Sequence, residues 1–563
     1  MTRHIVWQAT LAFLGIVLVF FILFQLASSQ TPVETIEVPA AGGTYVEGVL
    51  GYSQLINPIL APPMIQANPV EQDLSALVFD GLTTLDATGR VSPALALEWE
   101  VSEEGTVYDF RLRQDVTWHD GAPFTAADVA FTVQAMQDPN FQGDPTLREL
   151  WRTVIADQQD DFSIRFTLQE AFPSFLLYTN IGILPMHLLS DVAPGELAQH
   201  SFSTERPVGT GRFMVESLSA EEAVLAANPD YWGAKPNIDR LAFWFYSEWD
   251  GVLADYGQGE IHGFHPPDLQ ELPALVETPT LELYSAQSAG FGIVYLNLQR
   301  ESVPFFVEKE VRQALLYSLD RQQLIAEALG GQGLIADSPI PPTSWAHDPS
   351  VRRYRYDPER AIGLLDASGW LDSDADRIRD KDGVPLAFTL LVSQDPVMTR
   401  LAEELSRQWR AVGVEATLLT VVDEAAADSI RNRDFDAALA EIGLTADPDP
   451  YPLWHSTQGQ SGQNFSGFSN QDADLVMEES RFTSDPERRT ELYRSFQQLF
   501  AEEVPSLLLY YPIYSYAVDQ RVQGVQLSPM LHSSDRFRNI TAWYVETEEV
   551  LVSEMGALDK TGN

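Results

Sequence analysis

Val116-Thr117-Trp118-His119-Asp120-Gly121-Ala122-Pro123-Phe124-Thr125-Ala126-Ala127-Asp128-Val129-Ala130-Phe131 reads as a strand end, a tight turn and a helix start. Asp120-Gly121 supplies the turn, because glycine tolerates positive φ. Thr125 stands three residues before Asp128, the spacing of a helix N-cap with an acidic partner near the positive end of the helix dipole. Adjacent residues on an extended strand point to opposite faces. His119 and Asp120 are therefore not expected to form a catalytic pair, and the segment's expected role is architectural.

Outward from this stretch, 563 residues with 45% hydrophobic and 11% aromatic composition can build several packed cores. Eighty-one acidic and 35 basic residues give a formal net charge of −46. Nucleic-acid binding is excluded as a class, since phosphate contacts need clusters of Lys and Arg. The acids are spread along the chain, which reads as a solvated surface and not as a cation trap. With no cysteine, disulfides, thiolate chemistry and lipid attachment through an N-terminal Cys are all excluded.

Ile5 to Leu26 is uncharged and interrupted only by Gln8, Thr10, Gly15 and Gln25, long enough for a helix of roughly 30 Å that crosses a bilayer. Arg3 before it and Glu34 and Glu37 after it put the N-terminus inside and the bulk of the chain outside the membrane. Residues 1–28 are read as a signal peptide or an uncleaved anchor. Ala27-Ser28-Ser29 offers a cleavage site, but the apolar core exceeds the usual signal-peptide length, which favours the anchor. Residues 29–42 read as a linker and 546–563 as a flexible tail.

Further along, Gly43 to Val49 alternates as a strand does. Residues 81–195 mix strand signals, Tyr108 to Leu112 and Ser163 to Leu168, with short helices, as an α+β unit would. Val311, Ala314, Leu315, Ser318 and Leu319 keep a helical period, Asp320 can cap a further helix ending at Gly330-Gly331, and Asp357-Pro358 starts another ending at Gly369. Ala387 to Val392, Val397 to Val412 and Val414 to Val422 form a strand–helix–strand unit, which implies parallel sheet and an α/β class. Gly209-Thr210-Gly211 is not a dinucleotide fingerprint, because Met214 occupies the place of the third glycine. No H-E-x-x-H, G-x-S-x-G or phosphate-loop pattern occurs, so no cofactor is expected and an enzyme is the weaker reading. A secreted carboxylate-pair hydrolase is the rival class that 81 acidic residues leave conceivable.

Several of these blocks together resemble family 5 of the extracellular solute-binding proteins. They are Val116 to Phe131, Phe79-Asp80-Gly81-Leu82-Thr83, Pro207-Val208-Gly209-Thr210-Gly211-Arg212-Phe213, Asn228 to Gly233, Val311 to Leu315, Tyr356 to Ala361, Asp447-Pro448-Asp449-Pro450, Asn464 to Asn470 and Leu492-Tyr493. The resemblance spans about residues 43–545. It implies a two-lobed periplasmic-binding-protein type II fold (cluster C) with an inserted α+β subdomain. In chain order it implies lobe I at 43–80, the insertion at 81–195, lobe I again at 196–285, lobe II at 286–514 and a lobe I return at 515–545. The implied function is capture of an oligopeptide or dipeptide in an interlobe cleft and its delivery to separate permease and ATPase subunits of an ABC importer. A nickel complex, an opine or an oligosaccharide are the alternative guests. A monomer without a cofactor is expected.

In this family an aspartate in an A-D-x-x-D-P region of lobe II holds the peptide N-terminus. Here the region departs from that pattern by one residue, leaving Asp447, which keeps the preceding alanine, and Asp449, which keeps the following proline; Asp447 is favoured. The plainer reading is that Asp-Pro-Asp-Pro builds a turn. Tyr451 and Trp454 are candidate pocket walls by stacking, or simply core. Tyr295 and Asn297 match a family strand facing the cleft, and Asn68, in Ala67-Asn68-Pro69, a loop near the ligand. Asp372, Asp374, Asp376 and Asp380 place oxygens at alternate positions as calcium loops do, but Arg377 replaces the usual glycine and Gly383 the bidentate glutamate, so a solvated acidic loop is preferred. His262 and His265 are a metal-like pair lacking an evident third ligand.

Overall fold

A strand of about 3.3 Å per residue must run roughly 45 Å if it continues for fourteen residues, and Ser506–Asp519 does so. Its first part pairs antiparallel with Gly290–Leu296, and its second with Leu281–Gln287. The chain thus passes between two halves of the molecule twice, once at Ser288-Ala289 and once along this strand near Pro512. Proline has no N–H to give a ladder, and Pro512 stands where the strand changes partners, its carbonyl accepting from Ser288 N at 2.9 Å. Gly292 lies against the other crossing. A Cβ there would meet the Tyr510 ring at 2.2 Å, so only glycine admits this approach.

The computed structural model describes residues 35–62, 68–86, 88–266, 271–483 and 485–551, with positions 7, 15 and 17–19 nearer the N-terminus. On one side of the crossing, the sheet continues through Gly263–Phe264, Thr44–Leu50, Arg240–Tyr246, Glu222–Ala227 and Phe213–Leu218. On the other it continues through Gly290–Leu296, Ala437–Gly443, Ala387–Ser393 and Glu415–Val421. The strand–helix–strand unit read from the sequence is present as Ala387–Ser393, Pro396–Ala411 and Glu415–Val421, with parallel strands in register from Ala387↔Glu415 to Ser393↔Val421. Asp320 and Asp357 cap Arg321–Ala328 and Pro358–Ala367, and Gly330, Gly331 and Gly369 follow with positive φ.

Residues 96–167 contribute a four-stranded antiparallel sheet in the order Ala96–Val101, Val107–Leu112, Ser163–Thr167, Ile155–Asp160, with the helix Ala126–Gln137 against it. The capping box of Thr125 and Asp128 starts that helix. Phe110, Trp118 and Phe166 belong to the same buried core as Tyr45, Leu241, Phe243 and Trp543, so this unit and the first lobe are packed as one body. The second lobe has its own cores, one on each face of its sheet.

The junction of the first lobe with the added unit explains why the quoted blocks sit where they do. A Cβ at Gly209 would fall 1.8 Å from Val78 O, and one at Gly81 2.4 Å from the Asn180 backbone. Asp80 is half-buried and accepts from Trp232 Nε1 at 2.9 Å and Thr210 Oγ1 at 3.3 Å. His119 accepts from Gly209 N at 3.1 Å on Nδ1 and faces Gly211 O at 2.9 Å with Nε2. Burial pushes its pKa down to about 4. Asp120 instead faces His187, 2.7 Å away. His119 and Asp120 lie in the turn closed by Gly121 N on Trp118 O, not on a strand, and serve different partners.

Two expectations about the termini change. Glu546–Leu551, read as part of a flexible tail, pairs antiparallel with Thr35–Ala40 of the expected linker. A partner some 500 residues away leaves no trace in local periodicity, which is why neither segment read as a strand. No helix among the described residues is long and apolar enough to cross a membrane. The apolar run Ile5 to Leu26, read as a signal or anchor helix, lies outside the described residues apart from the isolated positions given above.

The C-terminal return is fixed to the first lobe by a buried charge cluster. Arg536 Nη2 reaches Asp73 at 2.5 Å and Glu47 at 3.1 Å, and the Tyr45 and Tyr516 hydroxyls donate to Glu47 at 2.5 Å. All three charged side chains are buried. Burial, opposed by Arg536 and the two tyrosines, holds the Glu47 carboxyl above its ordinary range. Arg536→Met strands two carboxylates and is expected to cost about 3–5 kcal/mol of unfolding free energy. A carboxyl raised above its unfolded value favours the folded state at low pH, and that advantage disappears as pH climbs through the folded value. The loss should therefore be smaller near pH ~5 than near pH ~8; equal losses in denaturant titrations at both would contradict this assignment.

Candidate functional site

Because each half has its own cores and two strand crossings join them among the described residues, the faces that meet beside those crossings form a seam. From the first body comes the turn at Asp86 to Gly89, between the strands Thr83–Leu85 and Val91–Pro93. Its chain reversal requires Gly89 at φ 79°. From the second comes Thr445-Ala446-Asp447-Pro448, directly after the strand Ala437–Gly443. Pro529 to Leu531 and Arg538 of the C-terminal return complete a small cavity of about 30 Å³ whose walls are mostly apolar. Two wider clefts, of about 510 and 480 Å³, continue it along the seam. The first shares Gly89 and Ala446 with that cavity, and the second shares Ser174 and Arg489 with the first.

Asp447 lies at the centre of this track. It accepts from Arg489 Nη2 at 2.6 Å, from Tyr493 Oη at 2.9 Å and from the Ser174 hydroxyl. Ser174 belongs to the first body and the other three residues to the second, so one carboxylate bridges the seam. Arg489 is also buried, its guanidinium 5.1 Å over the Tyr493 ring and 5.9 Å over Trp345. Desolvation works against its charge, but Asp447 and Tyr493 outweigh it and keep its pKa above the usual value. Asp449 also lies on the track. It pairs with Arg481 Nε at 2.8 Å and accepts from Tyr451 N at 3.0 Å, and burial raises its carboxyl despite Arg481.

The other candidate residues separate. Tyr451 stacks on His455 with ring centroids 4.0 Å apart, while Arg481 covers its ring at 4.1 Å. Trp454 is core, packed edge-on against Phe500 at 4.7 Å. Tyr295 is buried against Phe465, and Asn297 Nδ2 donates to the carbonyls of Arg433 at 3.1 Å and Phe435 at 2.9 Å. Neither lines the cavities of the seam. Asn68 caps the helix Pro69–Val78 through Val70 N and donates to Tyr52 O at 2.7 Å; Ala67 lies outside the described residues. The strand and turn positions of these residues were readable, but their side chains are used for folding.

Asp372, Asp374 and Asp376 do converge, with carboxylate oxygens within 4.8 Å of one another at an exposed site. They also accept from the loop's own backbone at Arg377, Asp376 and Ile378, and Asp380 is engaged by Ser373. His262 accepts from Val46 N at 3.0 Å, whereas His265 faces Ser515 O at 2.8 Å and stacks on Tyr514. The two imidazoles serve separate contacts.

The match to a family model fits this geometry. Residues 90–464 match the model for bacterial extracellular solute-binding proteins, family 5. The chain belongs to this family. It is 28% identical over 518 residues to the oligopeptide-binding protein AppA of Bacillus subtilis (strain 168), covering 90% of this chain and 92% of that one. It is 26% identical over 483 residues to a dipeptide-binding protein of Escherichia coli (strain K12), covering 81% and 86%. The structure of the Bacillus subtilis AppA in complex with a nonapeptide superposes with a TM-score of 0.67 at 26% identity, covering 90% of this chain and 100% of that one. The fold is accordingly α/β and two-lobed, as for the family's solved structures. At family level the chain is a binding protein and not an enzyme.

Arg489, Ser174 and Tyr493 were not among the sequence candidates. Arg489 stands three and four residues before Leu492 and Tyr493 on the helix Pro486–Glu503, and that spacing placed an arginine on an apolar helix face. Asp447→Asn would leave this arginine buried without its carboxylate. The expected result is a loss of about 3–5 kcal/mol in unfolding free energy; a variant as stable as the wild type by denaturant titration would contradict the pairing.

Proposed function

We propose that this protein is an extracytoplasmic receptor that closes the seam around an oligopeptide or dipeptide and hands it, chemically unaltered, to a separate ABC permease with its own ATPase. The observation that carries this reading is the track of cavities between two bodies that, among the described residues, two strand crossings join. Such a hinge lets one body rotate on the other, which is how a cleft closes on a ligand. An extended peptide needs backbone partners and roomy side-chain pockets, and the turn Asp86 to Gly89 and the segment Thr445 to Pro448 flank the track. The functional names of the relatives support peptides as the guest class. Turnover is not part of this reading, because Asp447 and Asp449, the carboxylates at the seam centre, are committed to ion pairs.

The working unit is a monomer on the outer face of the cytoplasmic membrane, tethered by an uncleaved helix over Ile5 to Leu26. The length of that apolar run supports the tether. Native mass spectrometry of gently purified protein tests both parts. The expected result is a bound peptide mass that is recovered unchanged on release, on a chain retaining its first residues. A guest that emerges cleaved would sink the receptor reading, and a mature chain beginning near Gln30 the tether.

A further inference from the structure

Asp447 is the carboxylate expected to meet a peptide ammonium, yet both of its oxygens are taken. Oδ2 accepts from Arg489 and from Ser174, and Oδ1 from Tyr493. The side chains of the ion pair are 6% and 10% exposed. Arg489 is held from several sides, with its guanidinium over the Tyr493 and Trp345 rings and its Nε donating to Ser480 O at 3.2 Å. An ammonium arriving at Asp447 has to displace this guanidinium and leave it buried and unpaired, a cost that falls on the affinity of the guest. The second candidate offers no escape, because Asp449 is paired with Arg481, itself lying over the Tyr451 ring. In a chain with a net charge of −46, both aspartates at the centre of the seam carry their own arginine.

We infer that Arg489 sets the specificity of the seam: by neutralising Asp447 it turns away a free α-ammonium and selects peptides whose amino terminus is blocked, an amide standing in place of the charge. The inference rests on the peptide reading above and narrows it. Arg489 spends its own charge on Asp447, so this point does not recruit an anion either. Beside the pair the cleft is lined by the hydroxyls of Ser174, Thr483 and Thr490 next to Leu176, Leu177 and Trp345, with Arg90 and Glu487 as its other charged residues. Each hydroxyl gives its proton within the protein, Ser174 to Asp447, Thr483 to Glu479 O and Thr490 to Pro486 O, and keeps lone pairs that accept an amide N–H without breaking an ion pair.

The test uses two pools of peptides of roughly three to five residues with the same sequences, one with free and one with N-acetylated amino termini, in competitive native mass spectrometry. The proteins are the full chain, Arg489→Met, and the neutral pair Asp447→Asn with Arg489→Met. The wild type is expected to retain the acetylated pool at least as well as the free one. Arg489→Met, which bares Asp447, should shift the preference about tenfold or more towards free amines, and the neutral pair should restore the wild-type preference. If Arg489→Met fails to fold, the wild type and the neutral pair carry the test. A wild type that prefers free amines by about tenfold, or an Arg489→Met whose preference does not move, overturns the inference and leaves the peptide reading standing. Retention of neither pool by the wild type overturns both.

Discussion

The ladder along Ser506–Asp519 is the constraint from which the rest follows. One strand donates and accepts on both sides of the molecule, so its backbone partners must be satisfied in each half whatever the halves do relative to each other. Pairing with Leu281–Gln287 and then Gly290–Leu296 lets the partner strand break at Ser288-Ala289 while the ladder itself continues. That break, beside Pro512 and Gly292, places the two crossings together. The proposed closure pivots at the base of the seam, between the separately packed cores on either side.

Rigidity on the first side is built from buried polar groups as much as from apolar packing. Asp80 with Trp232 and Thr210, His119 with Gly209 and Gly211, and Arg536 with Glu47 and Asp73 each join segments far apart in sequence. A half-satisfied version of any of them would cost more than an apolar replacement, so they specify one arrangement of the junction. The consequence for function is positional: they set where the Asp86 to Gly89 turn and Ser174 stand opposite Asp447.

The elements that sequence revealed best are those whose signals are local. The capping box at Thr125 and Asp128, the strand–helix–strand at Ala387–Val421 and the glycine stops at Gly330-Gly331 and Gly369 depend on neighbours a few residues away. The pairing of Thr35–Ala40 with Glu546–Leu551 depends on a partner at the opposite end of the chain, and it was missed. The same division runs through the site. Asp447 and Asp449 were legible as a motif, but the arginine facing each could not be, because Arg489 and Arg481 lie on other elements and reach the aspartates only in three dimensions. Tyr295, Asn297 and Asn68 illustrate the converse. Their backbone positions fit a cleft-facing pattern, while core packing, strand-end carbonyls and a helix cap had the stronger claim on their side chains.

The account's central claim is hinged closure on a guest that leaves unchanged. The chain contains no cysteine, so Asp157→Cys in the first body and Glu424→Cys in the second would carry the only two thiol-reactive dyes. Single-molecule energy transfer between them is expected to shift between two states as the peptide pool is added, and to return when the guest is removed with its mass intact. A transfer efficiency that stays constant while native mass spectrometry reports the guest bound at saturation would contradict the account.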